Sequence, residues 1–139
     1  MTFLDTNILL YAISSAPEEE KKRNTARAIL RKDQLALSVQ VLQEFYVQAT
    51  RSSRPDPLSH QEASDLISNW LRFQVVPLTV AVLQNALSLK SLHPISYWDA
   101  AIVSAASTAG CPVLFSEDLN HGQDYAGVQV INPFLVSIP

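Results

Sequence analysis

The sequence predicts an α/β domain with a mainly parallel sheet, on three observations. Short apolar runs of strand length alternate with longer segments of helical periodicity. Two of the apolar runs, Thr2-Phe3-Leu4 and Val113-Leu114-Phe115, lead into the acids Asp5 and Asp118. The chain has 139 residues, 47% hydrophobic and 17% charged, which suits one globular domain with its own core, spanning residues 1–139.

The elements follow in order. Thr2 to Asp5 reads as a buried strand, and Thr6 to Ala12 continues it as a short helix or turn. Ser14, Ser15 and Pro17 break the pattern. Glu18 to Lys32 is helical: Glu18/Lys22 and Glu19/Arg23 have i,i+4 spacing for ion pairs, and Ala26, Ile29 and Leu30 form the apolar stripe. Asp33-Gln34 turns into a second strand, Leu35 to Ser38. Val39 to Arg51 is a helix whose Leu42, Phe45, Tyr46 and Ala49 have the spacing of a buried face; Glu44 lies off it, in a row with Gln40 and Gln48. Ser52 to Pro57 is a polar loop. Ser59 to Phe73 is a helix with Ser59 and Glu62 placed as a capping box. Gln74 to Leu78 is extended. Thr79 to Leu92 is a helix with Val82, Leu83, Ala86 and Leu89 inward, ended by His93-Pro94. Ser96 opens a helix running to Thr108 and stopping at Gly110. Its predicted buried stripe is Trp98, Ala101, Ile102, Ala105 and Ala106. Pro112 to Ser116 is a strand, Glu117 to Tyr125 a polar loop, and Gly127 to Ile131 a last strand.

Composition excludes several functions. The net charge is −3, so any nucleic-acid contact is local rather than a general coating. The cations are indeed uneven: after Arg54 only Arg72 and Lys90 remain. The single cysteine, Cys111, rules out an intramolecular disulfide framework and a cysteine-rich zinc site, and reads as a small buried filler. None of the three glycines forms a G-x-G-x-x-G or Walker A loop. No apolar stretch is long enough to span a bilayer and no signal peptide precedes Asp5, so the expectation is a cytoplasmic protein without membrane association. His60, His93 and His121 lack metal-ligand spacing. Tyr11, Tyr46 and Trp98 read as core. Arg23, Arg27 and Arg31 share a helix face that is either solvated or a contact for phosphate or an acidic partner.

Four acids carry the chemistry: Asp5, Glu44, Asp99 and Asp118. Each alone has an ordinary reading. Asp5 caps a helix, Asp99 sits three residues after Ser96 as in a capping box, Glu44 faces solvent, and Asp118 begins a turn. Together they fall where an open α/β sheet gathers its ligands, outside the carboxyl ends of the strands. Two carboxylates about 5 Å apart repel by roughly 3 kcal/mol at an effective dielectric near 20. No lysine or arginine flanks Asp5, Asp99 or Asp118 locally, so a divalent cation is the natural neutraliser.

The chain resembles a PIN domain, and most closely a VapC-type toxin ribonuclease. The matching pieces are Phe3-Leu4-Asp5-Thr6-Asn7, Ser38-x-x-Val41-x-x-Glu44-Phe45, Tyr97-Trp98-Asp99-Ala100-Ala101-Ile102, Leu114-Phe115-Ser116-Glu117-Asp118-Leu119 and Val130-Ile131-Asn132-Pro133-Phe134. The resemblance implies a Rossmann-like three-layer α/β/α sandwich and Mg2+- or Mn2+-dependent cleavage of RNA by a metal-activated water, leaving 5′-phosphate and 3′-hydroxyl ends. It carries Asp5, Glu44, Asp99 and Asp118 over as the catalytic quartet, with Asp5, Asp99 and Asp118 as metal ligands. Thr6, Asn7 and Ser116 become supporting residues, and Glu117 is expected to point away. Arg51 and Arg54, beyond the Glu44 helix, are placed to hold substrate backbone. A homodimer and a small antitoxin are the implied protein partners. The proline-containing loop and the Trp70-Leu71-Phe73 group are candidate contact surfaces. Two rivals remain: a non-catalytic PIN-like RNA-binding module, and a haloacid-dehalogenase-type phosphatase. The phosphatase normally needs a second Asp where this chain has Asn7.

Overall fold

A computed structural model describes residues 1–136; the last three positions of the expected 1–139 domain lie outside the described residues. Six strands form one sheet: β1 (Thr2–Leu4), β2 (Leu35–Ser38), β3 (Gln74–Val76), β4 (Val113–Phe115), β5 (Asp124–Tyr125) and β6 (Val128–Ile131). Their order is β3-β2-β1-β4-β6-β5. β1 pairs in parallel with β2 and β4, β2 with β3, and β4 with β6. β6 is the expected last strand, while β5 lies at the end of the stretch expected to be loop; the β5–β6 pair is antiparallel. Its two-residue turn has positive φ at both Ala126 (53°) and Gly127 (93°), the geometry that matches strand twist in a tight hairpin.

Six helices cover the sheet as the outer layers of an α/β/α sandwich: α1 (Thr6–Ala12), α2 (Glu20–Leu30), α3 (Val39–Ala49), α4 (His60–Trp70), α5 (Val80–Leu92) and α6 (Tyr97–Thr108). α1 packs on α2 and α3, and α3 on α4; α5 packs on α6, which lies against β2, β4 and β6. Hydroxyl side chains start four of these helices. Ser38, Ser59, Thr79 and Ser96 each accept the third helical amide, from Val41, Glu62, Val82 and Asp99. Ser59 and Glu62 complete the predicted capping box. Gly110 (φ 72°) ends α6 in a Schellman motif: its amide bonds Ser107 O and the Cys111 amide bonds Ala106 O.

The core sits on both faces of β1 and β4. Phe3, Leu4, Leu37, Leu114 and Val130 of the sheet are fully buried against Ile8, Ile29, Phe45, Ile102 and Val103. Seven consecutive α6 residues, 100–106, are buried. Their small side chains let the helix lie between the sheet and α5. The buried Ser104 is satisfied there, donating to Val82 O (2.8 Å) and accepting from Asn85 (3.1 Å).

Four sequence readings are corrected. Trp98, expected in the buried stripe, is 65% exposed, because the stripe begins only at Ala100. Leu83 is exposed, because α6 covers the line of Val82, Ala86 and Leu89 and not the next turn over. Trp70 is buried edge-on to Phe45 (centroids 4.8 Å apart), so of the Trp70-Leu71-Phe73 group only Leu71 is exposed. The expected Glu18–Lys22 and Glu19–Arg23 pairs are replaced by partners distant in sequence or offset along the helix: Lys22 pairs with Glu117, and Arg23 with Glu20.

Candidate active site

The sheet reverses direction of growth at β1 and β4. From β1 it extends through β2 to β3, and from β4 through β6 to β5. That point opens a crevice at the carboxyl ends of the two strands, which is the usual ligand position in this architecture. The ends are locked by backbone bonds: Asp5 N donates to Phe115 O (3.0 Å) and Ser116 N to Ile131 O (3.1 Å).

Asp5 is the buried centre, at 4% exposure. It is the N-cap of α1, so the ordinary reading of this residue holds alongside the functional one. Its Oδ1 accepts from Thr6 N (2.7 Å) and its Oδ2 from the Ser116 hydroxyl (2.7 Å). The same Ser116 oxygen accepts from the amides of Asp118 (3.2 Å) and Leu119 (3.4 Å). One hydroxyl thus joins the acid after β1 to the turn after β4. Glu44, on α3, is held between Thr6, whose hydroxyl donates to Oε2 (2.7 Å), and Gln40, whose amide donates to Oε1 (3.0 Å). Gln40 also donates to Trp98 O (3.2 Å), tying α3 to the start of α6. Asn7 donates to Asp118 Oδ2 (3.2 Å) and accepts from the Glu117 amide (3.3 Å). Asp99 stands three residues into α6, its amide bonded to Ser96.

Asp5, Thr6, Asn7, Glu44, Asp99 and Asp118 line one cavity of about 320 Å³. Ser116 lies fully buried behind it. Arg54 lines this cavity, and Arg51 does not: it borders a shallow neighbouring groove with Gln43, Glu44, Val47 and Gln48. Glu117 is on the cavity wall, but its carboxylate is taken by Tyr11 and Lys22. Sequence reading missed Gln40, Tyr11, Lys22 and Glu19. Gln40 and Glu44 share a helix row, a local signal. Tyr11 and Lys22 reach Glu117 across about a hundred residues of chain and carry none.

The electrostatics follow from this crowding. Burial drives the Asp5 carboxyl up from 3.8 to about 7, against the lowering bonds from Ser116 and Thr6, and the charges of Asp118 and Glu44 push the same way. Asp99 is also raised, first by burial and then by Asp118 and Glu44, with a bond from Ser96 opposing. Among the described residues no ion pair reaches any of the four acids. The donor set is oxygen only, and each bonded carboxylate oxygen keeps a second lone pair, which fits a hard divalent cation. The arrangement is not a closed cage: among the described residues no three His, Cys, Asp or Glu side chains are already set to hold an ion. An ion held here as the residues stand would keep waters in part of its coordination shell.

Ser116→Ala is expected to destabilise the protein by about 1–3 kcal/mol, because it strips Asp5 of one of its two donors and leaves the buried Leu119 amide and the part-buried Asp118 amide without their acceptor. Urea denaturation against wild type measures it; an unchanged midpoint would show that the hydroxyl is not the link between β1 and β4.

The family model of the PIN domain matches residues 2–124. The chain belongs to the PIN domain family. Solved structures agree on the fold of this PIN domain. A toxin–antitoxin complex from Klebsiella pneumoniae aligns at TM-score 0.69 and 19% identity, covering 96% of this chain and 98% of that one. VapC20 of Mycobacterium tuberculosis, a sarcin–ricin loop cleaving toxin, aligns at TM-score 0.66 and 20% identity over 85% and 92%. FitAcB from Neisseria gonorrhoeae aligns at TM-score 0.65 and 17% identity over 98% and 100%. No curated protein matches the sequence. Among the described residues no helix is long and apolar enough to cross a membrane.

Proposed function

We propose that this PIN domain is a divalent-metal-dependent endoribonuclease and the toxin of a toxin–antitoxin pair. One observation carries the reading: four carboxylates that form no ion pair among the described residues line a single cavity at the switch point of the sheet. Two of the solved structures named above, a toxin–antitoxin complex and a toxin, support the biological class. Asp5, Asp99 and Asp118 would hold Mg2+ or Mn2+, with Glu44 completing the catalytic quartet. When bound, the cation neutralises these acids and the phosphate oxygens and makes the attacking water more acidic. The remaining work belongs to the chain. Ser116 and the Thr6 amide hold Asp5 in place; Thr6 and Gln40 orient Glu44; Asn7 orients Asp118. Tyr11 and Lys22 keep the Glu117 carboxylate engaged on the wall, so it does not compete for the cation.

In-line attack on phosphorus with the 3′-oxygen leaving would give 5′-phosphate and 3′-hydroxyl ends. The domain is proposed to act in the cytoplasm as a homodimer over residues 1–139 and to be blocked by a small antitoxin protein. A labelled RNA incubated with the purified protein and Mg2+ tests the activity, and absence of cleavage with any divalent metal would end the proposal.

The placement of the arginines separates two roles. Arg54→Ala is expected to weaken RNA affinity and to make its salt dependence shallower by about 0.7, the change for one lost phosphate contact on a single strand. Arg51→Ala, outside the cavity, should do less on both counts. Single-turnover kinetics across RNA concentrations separate binding from chemistry. Equal effects of the two substitutions would remove the assignment of Arg54 to the substrate backbone.

A further inference from the structure

We propose that Trp98 is a stacking platform for an unpaired nucleobase beside the cleaved phosphate, and so a specificity-determining residue of this site. The inference rests on the ribonuclease reading and deepens it. Trp98 is 65% exposed, yet it precedes the most continuously buried helical stretch of the chain, residues 100–106. A large indole left in water forgoes stabilisation that burial would give. Its main chain is also held in place. Its carbonyl accepts from Gln40, the amide that also holds Glu44, and the Tyr97 ring packs edge-on at 5.2 Å. The main chain that carries the indole therefore has a fixed relation to Glu44 and, one residue on, to Asp99.

The surroundings select the occupant. Trp98 shares its cavity with the four acids of the quartet, with Glu19 and Glu117, and with Arg54. A phosphate drawn to a cation on the acids, and met by Arg54, brings its flanking base to the rim where the indole stands. Bases inside a duplex have their faces covered by neighbours and cannot stack on a side chain; unpaired bases can. A second copy or a folded protein partner would call for continuous apolar surface around the indole, and here the neighbours are mostly polar.

The test uses the full chain carrying Asp118→Asn, so that RNA is bound and not cut, with or without Trp98→Ala or Trp98→Phe. The probes are a twelve-nucleotide single-stranded RNA and the same sequence as a duplex. Trp98→Ala should weaken single-strand binding about tenfold, with Trp98→Phe losing less. Duplex should bind more weakly than the single strand. Single-stranded RNA should quench tryptophan fluorescence, and the quench should vanish in Trp98→Phe, because Trp70, the other tryptophan, is buried against Phe45. The salt slope should be unchanged by Trp98→Ala, unlike Arg54→Ala. Unchanged affinity in Trp98→Ala overturns the proposal; if oligomeric mass changes instead, the face belongs to a second copy. Trp98-dependent binding by a protein whose wild type cuts no RNA would refute the cleavage reading and support the platform. Cleavage with no dependence on Trp98 would refute the platform alone.

Discussion

Asp5→Asn, Asp99→Asn and Asp118→Asn are each expected to lower single-turnover RNA cleavage by roughly 10³-fold while the fold persists, the scale seen when one group stabilising the transition state is removed. Fold persistence has a separate argument at each position. Asp99 sits in the first turn of a well-capped helix, and Asp118 is exposed, so neither supports the core. Asp5 is the demanding case. Asparagine no longer carries a charge that burial disfavours, which helps the folded state. It also loses one bond, because Thr6 N and the Ser116 hydroxyl both donate and the new amide offers a single acceptor oxygen. The two effects oppose, and the net change in stability should be small beside the loss of activity. Circular dichroism and urea denaturation beside the cleavage assay measure both. Three folded variants cutting at the wild-type rate would remove the quartet from the mechanism.

The second large effect is on stability. Asp5 titrates near 3.8 when unfolded and near 7 when folded. Between those values the folded state holds a proton that the unfolded state has released. The metal-free protein therefore loses stability as pH rises through this window, on the order of 4 kcal/mol by the time pH passes about 7. Asp99, also raised, adds in the same direction. A cation removes the penalty only where the carboxylates are ionised. Magnesium at about a hundredfold over its dissociation constant should raise the melting temperature by about 8 °C at pH 8, and by little at pH 4. Melting curves of chelator-treated protein with and without magnesium, across that pH range, provide the measurement. An equal response at both ends would mean that any bound metal does not sit on these acids.

The alternation of strands and helices was legible because every strand but β5 is a short, largely apolar run and every helix but α2 starts at a side-chain cap. Ser59 with Glu62, and Ser96 before Asp99, mark helix starts that the structure reproduces. The strand order was not legible: parallel strands are joined by long crossovers, and nothing local in β3 says that it pairs with β2. Periodicity placed the inner line of α5 but overran it by Leu83, since a pattern of apolar residues does not say how wide a neighbour's cover is. The same limit put Trp98 in the core. Asp5 and Asp118 were readable because each comes after a strand, Asp99 because it lies in the first turn of a helix, and Glu44, in the second turn of α3, through the resemblance; the structure brings all four to one cavity. Their supports were half readable. Ser116 stands two residues from Asp118 and Gln40 one helical turn from Glu44, while Lys22 and Tyr11 meet Glu117 only through the fold.

The central claim is that the acids around Asp5 work through a divalent cation to hydrolyse RNA. Cleavage of a single-stranded RNA by chelator-treated protein, followed as Mg2+ or Mn2+ is added back and with the product ends identified, tests it most directly. The expected result is no cleavage without metal, saturable recovery with either ion, and products bearing 5′-phosphate and 3′-hydroxyl groups. Full activity in excess chelator, or 2′,3′-cyclic phosphate ends that mark attack by the RNA's own 2′-hydroxyl, would contradict it.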